Sequence, residues 1–171
     1  MSNYALPFNL QTWINEHREL LKPPVCNKQI FEHDDYIVMI VGGPNNRADY
    51  HYNETPELFY QLEGEMNLRV IDDGEFKNIA IKAGEIFMLP PKLLHSPQRF
   101  EHSIGLVVEQ KRLPNQLDAL FWFCPDCQQQ LYTEKFSLDN IETDLPKVFA
   151  NFYDNPQHCT CEKCGTKMSK G

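Results

Sequence analysis

Two histidines and one glutamate stand in segments crowded with glycine and proline. The first runs Gly43-Pro-Asn-Asn-Arg47-Ala-Asp-Tyr-His51-Tyr-Asn-Glu-Thr-Pro-Glu57, with Gly64 seven residues further on. The second runs Gly84-Glu-Ile-Phe-Met-Leu-Pro90-Pro-Lys-Leu-Leu-His95-Ser-Pro-Gln-Arg99. Two imidazoles and a carboxylate are the ligand set of a facial triad, which leaves three octahedral positions on ferrous iron open for substrate and oxygen. A lone strand histidine is more often a core or surface residue. Three ligands of the right types, inside two such frames, favour a metal site at His51, Glu57 and His95.

A second set of ligands lies toward the carboxyl end. Four of the six cysteines form two pairs, Cys124-Pro-Asp-Cys127 and Cys161-Glu-Lys-Cys164-Gly165. Each C-x-x-C turn presents two thiolates, and two turns complete a tetrahedral S4 shell for zinc or iron. Such a closed shell is structural, because it keeps no open position. Cys159 is close enough in sequence to compete with Cys161 as a ligand, and Cys26 reads as an isolated thiol.

The formal net charge of −8 on 171 residues argues against a nucleic-acid groove, which needs a basic face. The first residues, Met-Ser-Asn-Tyr-Ala-Leu-Pro, carry neither the basic nor the apolar region of a secretory signal. The longest apolar run, Tyr36 to Val41, is too short to cross a bilayer. These features predict a cytoplasmic protein with no membrane or nucleic-acid partner.

Short β-type runs must position the triad. Ile37–Val41, Leu58–Leu62, Met66–Ile71, Phe76–Ile81, Ile86–Leu89 and Ile104–Val108 are separated by Gly, Pro, Asn and Asp clusters, and Asp72-Asp73-Gly74 is a hairpin turn. The spacing predicts a mainly β, antiparallel jelly-roll barrel. Ahead of it an amphipathic helix is expected over 9–21, capped by Asn9, with Leu10, Trp13, Ile14, Leu20 and Leu21 on its apolar stripe and Lys22-Pro23-Pro24 as its stop. The pattern breaks near Leu113-Pro114-Asn115. The expected division is therefore helix plus barrel over 1–112 and a cysteine-bearing tail over 113–171, with a helix near 144–153 and its metal as the main organising element.

Strand parity links the second segment to a pocket. If 95–99 is extended, His95 and Arg99 point to one face, so a metal ligand and a guanidinium share one cavity. Arg47 stands in the same even relation to His51, across a loop. Glu109 ends a run that is apolar on both faces, Ile-Gly-Leu-Val-Val-Glu, where a carboxylate is costly unless an interior arginine pairs with it. Taken singly, Arg99 and Glu109 read as solvated rim charges; with the triad they fit a pocket for an anionic ligand.

The spacing of Gly64 after Glu57, and of Gly84, Pro90 and His95, resembles the two short motifs of the cupin superfamily. Asn53 stands where a second histidine is usual, and Lys92 where a glycine is usual. The stretches Gly-Gly-Pro-Asn-Asn-Arg-Ala-Asp-Tyr-His, His95-Ser-Pro-Gln-Arg99 and Val-Val-Glu109-Gln-Lys-Arg, with Leu-Leu-Lys-Pro-Pro-Val and the C-x-x-C tail, resemble the small single-cupin form of the 3-hydroxyanthranilate 3,4-dioxygenases. That resemblance implies Fe(II) on His51, Glu57 and His95 and extradiol cleavage of an ortho-aminophenol by O2. It implies Arg99 on the substrate carboxylate, Glu109 and Glu57 at the substrate, Arg47 at the oxygen side, a rubredoxin-like second metal, a homodimer, and a product that cyclises to quinolinate, a precursor of NAD. The alternatives are a cupin acting on a related aminophenol or catechol, and a non-catalytic cupin joined to a zinc ribbon.

Overall fold

A computed structural model describes residues 6–23, 26–32, 35–139 and 141–169. Among these residues, eleven strands make two antiparallel sheets. The chain gives β1 Asn27–Glu32, β2 Tyr36–Gly42, β3 Asp49–Tyr52, β4 Glu57–Glu63, β5 Glu65–Asp72, β6 Glu75–Lys82, β7 Ile86–Leu89, β8 Leu94–Arg99, β9 Ile104–Gln110, β10 Asp118–Phe123 and β11 Gln130–Phe136. One sheet has the order β1-β2-β9-β4-β7 and the other β11-β10-β3-β8-β5-β6. They face each other as a jelly-roll barrel, the mainly β architecture that the cupin motifs imply.

Alternation builds the interior. Met66, Leu68 and Val70 of β5 turn inward, as do Phe59 of β4, Met39 of β2 and Val107 of β9, and together they form a buried cluster. Asp73 and Gly74 both have positive φ, the geometry of the tight turn that matches strand twist, and they join β5 to β6 in register Asp72↔Glu75. On the outer face of the five-stranded sheet lies α1, Leu10–His17, capped by the Asn9 side chain, which accepts from the Thr12 N–H at 2.8 Å. Its Ile14 packs with Leu21, Ile40 and Ile104. The helix tightens to a 3-10 turn over Arg18–Leu21, which changes the side-chain phase. Leu20 therefore leaves the expected apolar stripe and is exposed. Pro24 of the expected stop lies outside the described residues.

Beyond residue 113 the sheet does not end. β10 pairs with β3 on one side and β11 on the other, so the expected boundary at 112/113 separates segments of one hydrogen-bonded sheet. The helix α2, Ile141–Tyr153, lays Val148 and Phe152 on Leu120 and Trp122 of β10. The Trp122 and Phe152 rings stack at 4.4 Å. This apolar cluster gives the segment a second organising element besides its cysteines. The short α3, Pro156–Cys159, leads into the last cysteine pair. No described helix is long and apolar enough to cross a membrane.

Candidate active site and second metal centre

Cross-strand pairing brings the two histidines together. His51 of β3 lies directly opposite His95 of β8, with ring centroids 5.2 Å apart. Glu57 opens β4 on the facing sheet, and its Oε1 lies 3.3 Å from His95 Nε2 and 3.9 Å from His51 Nδ1. The three side chains are buried, and one donor atom from each falls within 4.8 Å of the others.

The far side of each ligand is held. His51 Nε2 is 2.6 Å from Asp118 Oδ2, and His95 Nδ1 is 2.9 Å from the Leu93 carbonyl. With a proton on each of those nitrogens, His51 Nδ1 and His95 Nε2 turn lone pairs toward Glu57. Asn53, at the place of the usual second histidine, donates to Glu57 Oε1 at 2.7 Å. Burial lowers the pKa of His51, outweighing its hydrogen bond to Asp118. Burial also works against a charge on His95, but Glu57 outweighs it and the pKa rises, while Glu57, opposed by its own burial and favoured by His95, falls to about 2. The donor set, its burial and its backing hydrogen bonds fit a metal of the facial-triad class.

Beside the triad opens a cavity of about 300 Å3, at the lower end of roughly 300–1,000 Å3 for small-molecule sites. Apolar walls come from Met39, Val41, Phe59, Pro97 and Val107, and α2 contributes Leu145 and Phe149. His95, Pro97 and Arg99 all line it, as extended parity requires. Arg99 and Glu109 line the cavity and are only 3% and 4% exposed, so neither is a solvated rim charge.

Arg99 has no carboxylate partner among the described residues. Its Nη1 donates to Gln61 Oε1 at 3.3 Å, its Nε is buried without a partner, and burial pulls its pKa down to about 10. It still carries its charge near neutral pH. Gly105 makes the space, since a Cβ there would stand 2.7 Å from Arg99 Nη1. Glu109 does find an arginine, but it is Arg112, whose Nη1 donates to Glu109 Oε2. Burial and the nearby Glu57 charge push Glu109 up to about 7 against the pull of Arg112. Arg47 also lines the cavity; its guanidinium pairs with Asp49, and the Gln98 side chain donates to its carbonyl at 2.8 Å. Sequence reading missed Asp49, Gln61, Gly105, Arg112 and Asp118. None of them has a spacing signal, although Gly105 and Asp118 sit within strand-like runs.

The four cysteines converge at the far end of β10. Cys124 and Cys164 sulfurs lie 3.5 Å apart, as do those of Cys127 and Cys161. A tetrahedral shell with 2.3 Å metal–sulfur bonds has edges of about 3.8 Å, so the thiols fit one ion. Each C-x-x-C turn closes the same way: Gln128 N–H donates to the Cys124 carbonyl and Gly165 N–H to that of Cys161, both with positive φ. Cys159 packs instead in the cluster around Trp122, outside the four-sulfur group.

The chain is similar to known proteins in fold and in sequence. Among solved structures, the fold is similar to a cupin-2 domain protein from Shewanella frigidimarina, with TM-score 0.48 and 24% identity over 60% of this chain and 99% of that one. The chain is 58% identical to 3-hydroxyanthranilate 3,4-dioxygenase of Xanthomonas campestris pv. campestris, covering 93% of this chain and 90% of the relative. It is 49% identical to the protein of the same name from Ruegeria pomeroyi, over 92% and 88%. The family described as 3-hydroxyanthranilic acid dioxygenase matches residues 1–153, which include the triad and every cavity residue named above. Extent of match and identity together place this chain in the 3-hydroxyanthranilic acid dioxygenase family.

Proposed function

We propose that this protein is a 3-hydroxyanthranilate 3,4-dioxygenase that opens the substrate ring with O2 to give 2-amino-3-carboxymuconate semialdehyde. The observation that carries this reading is the buried, carboxylate-free Arg99 guanidinium facing the same small cavity as His51, Glu57 and His95. An unpaired buried charge is costly, and an aromatic carboxylate entering the cavity supplies its missing counter-ion. The apolar walls take the ring. Glu109 faces the amine side, where a hydrogen bond orients the ring, and Arg47 stands on the oxygen side, where a cation stabilises negative charge as it develops. Leu145 and Phe149 keep water from the ring.

His51, Glu57 and His95 would hold Fe(II), which supplies binding of the phenolic oxygen and amine together with dioxygen in one coordination sphere. The C3–C4 bond breaks and both atoms of O2 enter the product, as an aldehyde oxygen and a new carboxylate oxygen. The amine then condenses with the aldehyde, losing water, to close quinolinate. On the same reading the protein works as a cytoplasmic homodimer in NAD synthesis, and Cys124, Cys127, Cys161 and Cys164 would hold a structural iron or zinc.

The test is to add 3-hydroxyanthranilate to Fe(II)-loaded protein without air, then admit air and follow the ring-opened chromophore and O2 uptake. One O2 per substrate is expected, and each of His51→Ala, Glu57→Ala and His95→Ala should abolish turnover in a folded barrel. Faster turnover of a catechol or another aminophenol in a substrate panel would move the activity to that compound. Retained turnover in two of the three ligand variants would remove the triad assignment.

A further inference from the structure

From the metal ligand His51 to Glu109 at the substrate cavity runs a buried chain of charges, two of whose members, Asp118 and Arg112, have no part in the reaction proposed above. It consists of His51, Asp118, Arg112 and Glu109. Asp118 is fully buried, and the Arg112 and Glu109 side chains are 5% and 4% exposed. Arg112 Nε and Nη2 donate to the two Asp118 oxygens at 2.8 and 2.7 Å, a bidentate fork. Its Nη1 donates to Glu109 and, at 3.1 Å, to the Gln110 carbonyl. Asp118 Oδ2 also accepts from His51 Nε2. One guanidinium thus fixes two carboxylates at once. One of them sets the ring of a metal ligand, and the other faces the substrate cavity.

The elements explain why these four meet. Glu109 lies at the end of β9 and Asp118 at the start of β10, and Arg112 sits in the connection between them. β9 belongs to one sheet and β10 to the other, so Arg112 ties the two sheets together beside the site. Register then places Glu109 opposite Glu57, and β10 beside His51.

Resting on the ring-cleaving reading above, we propose that Asp118 and Arg112 are positioning residues of this site: Asp118 fixes the tautomer and orientation of His51, and Arg112 locks Asp118 and Glu109 into one frame. Arginine suits this place because its planar fork serves Asp118 with two donors and leaves Nη1 for Glu109. A lysine there keeps a charge but serves one partner well at a time.

The test uses the full-length protein with its cysteine site filled beforehand, titrated anaerobically with Fe(II) against a chelator, and then assayed with 3-hydroxyanthranilate. Asp118→Ala should weaken Fe(II) binding by about 10- to 100-fold, as loss of a partner behind a metal-bound histidine does elsewhere. Asp118→Asn, which keeps an acceptor for His51, should recover part of that loss. Arg112→Ala leaves two carboxylates buried without their cation and threatens the fold, so Arg112→Lys is the informative variant. It should retain the fold by circular dichroism while raising KM more than it lowers kcat, because Glu109 is freed while the triad persists. Parental Fe(II) affinity in both folded Asp118 variants would overturn the role of Asp118. An unchanged KM in folded Arg112→Lys would overturn the role of Arg112. If the parent protein binds Fe(II) but does not open 3-hydroxyanthranilate, the reaction assignment fails, and the affinity titration still decides whether Asp118 positions the metal ligand.

Discussion

On the proposed reading, Arg99 is the residue on which substrate choice turns. A charge-assisted bidentate pair in a dry pocket is worth roughly 2–4 kcal/mol, on the order of 30- to 1,000-fold in kcat/KM. Arg99→Ala should therefore cost that much with 3-hydroxyanthranilate and far less with 2-aminophenol, which lacks the carboxylate. Arg99→Lys should restore only part. Equal losses for the two compounds would falsify the carboxylate role. Gly105 supports that arginine, because its missing side chain is the space in which the guanidinium lies. Gly105→Ala should displace Arg99 and cost about tenfold to a hundredfold in kcat/KM for 3-hydroxyanthranilate. The double variant with Arg99→Ala should lose little more than Arg99→Ala alone, and steady-state kinetics of the four proteins give that coupling directly.

At the level of elements, the turn before β8 carries a strain that its sequence explains. Lys92 has φ +69°, in the left-handed region, and its N–H donates to the Asn53 carbonyl at 2.8 Å. A side chain in that conformation costs roughly 1–2 kcal/mol, part of which glycine returns through its larger unfolded-state entropy. Lys92→Gly should therefore stabilise the protein by about 0.5–1 kcal/mol, raising Tm by roughly 1–4 °C. Differential scanning calorimetry reads this, and an unchanged or lower Tm would show that the lysine side chain compensates. The same turn delivers His95 to the cavity through the inward alternation of β8. Catalytic constants should stay near the parent value if the glycine preserves that geometry.

Over the whole molecule, β10 joins the two candidate metal centres. Asp118 starts it and backs His51, while Cys124 directly follows its last residue. Between them, Leu120 and Trp122 anchor α2, whose Leu145 and Phe149 line the cavity beside the triad. An apolar cluster holds one part of the carboxyl-terminal segment, and a metal on the four cysteines would hold another. Replacing Cys124 and Cys164 together by Ser should abolish hydrogen-exchange protection beyond about residue 156, where few apolar groups are buried. The paired strands β10 and β11 should keep theirs, because sheet hydrogen bonds and the Trp122 cluster remain. Loss of protection extending through β10 would show that the cysteine metal organises the entire segment.

The triad, the paired cysteines and the β character of this chain were legible in sequence because each depends on residue type at short spacing. His51 and Glu57 lie six residues apart, alternating runs mark strands, and a C-x-x-C turn is complete within four residues. Six of the strands, the Asn9 cap and the Asp73-Gly74 hairpin followed from the same local physics. The strands β1, β3, β10 and β11 lack a comparably clear signal, and the break near 113 reads as a boundary although pairing resumes five residues later. What only tertiary structure decided is partnership. Asp118, 67 residues from His51, meets it because β10 lies beside β3. Arg112 rather than Arg99 neutralises Glu109, since the turn after β9 brings it there. Arg99 is left with its charge unmatched and open to the cavity. Local sequence specifies which groups can bind metal or carry charge, but which charge remains for the substrate depends on long-range packing, where burial makes every pairing costly to leave incomplete.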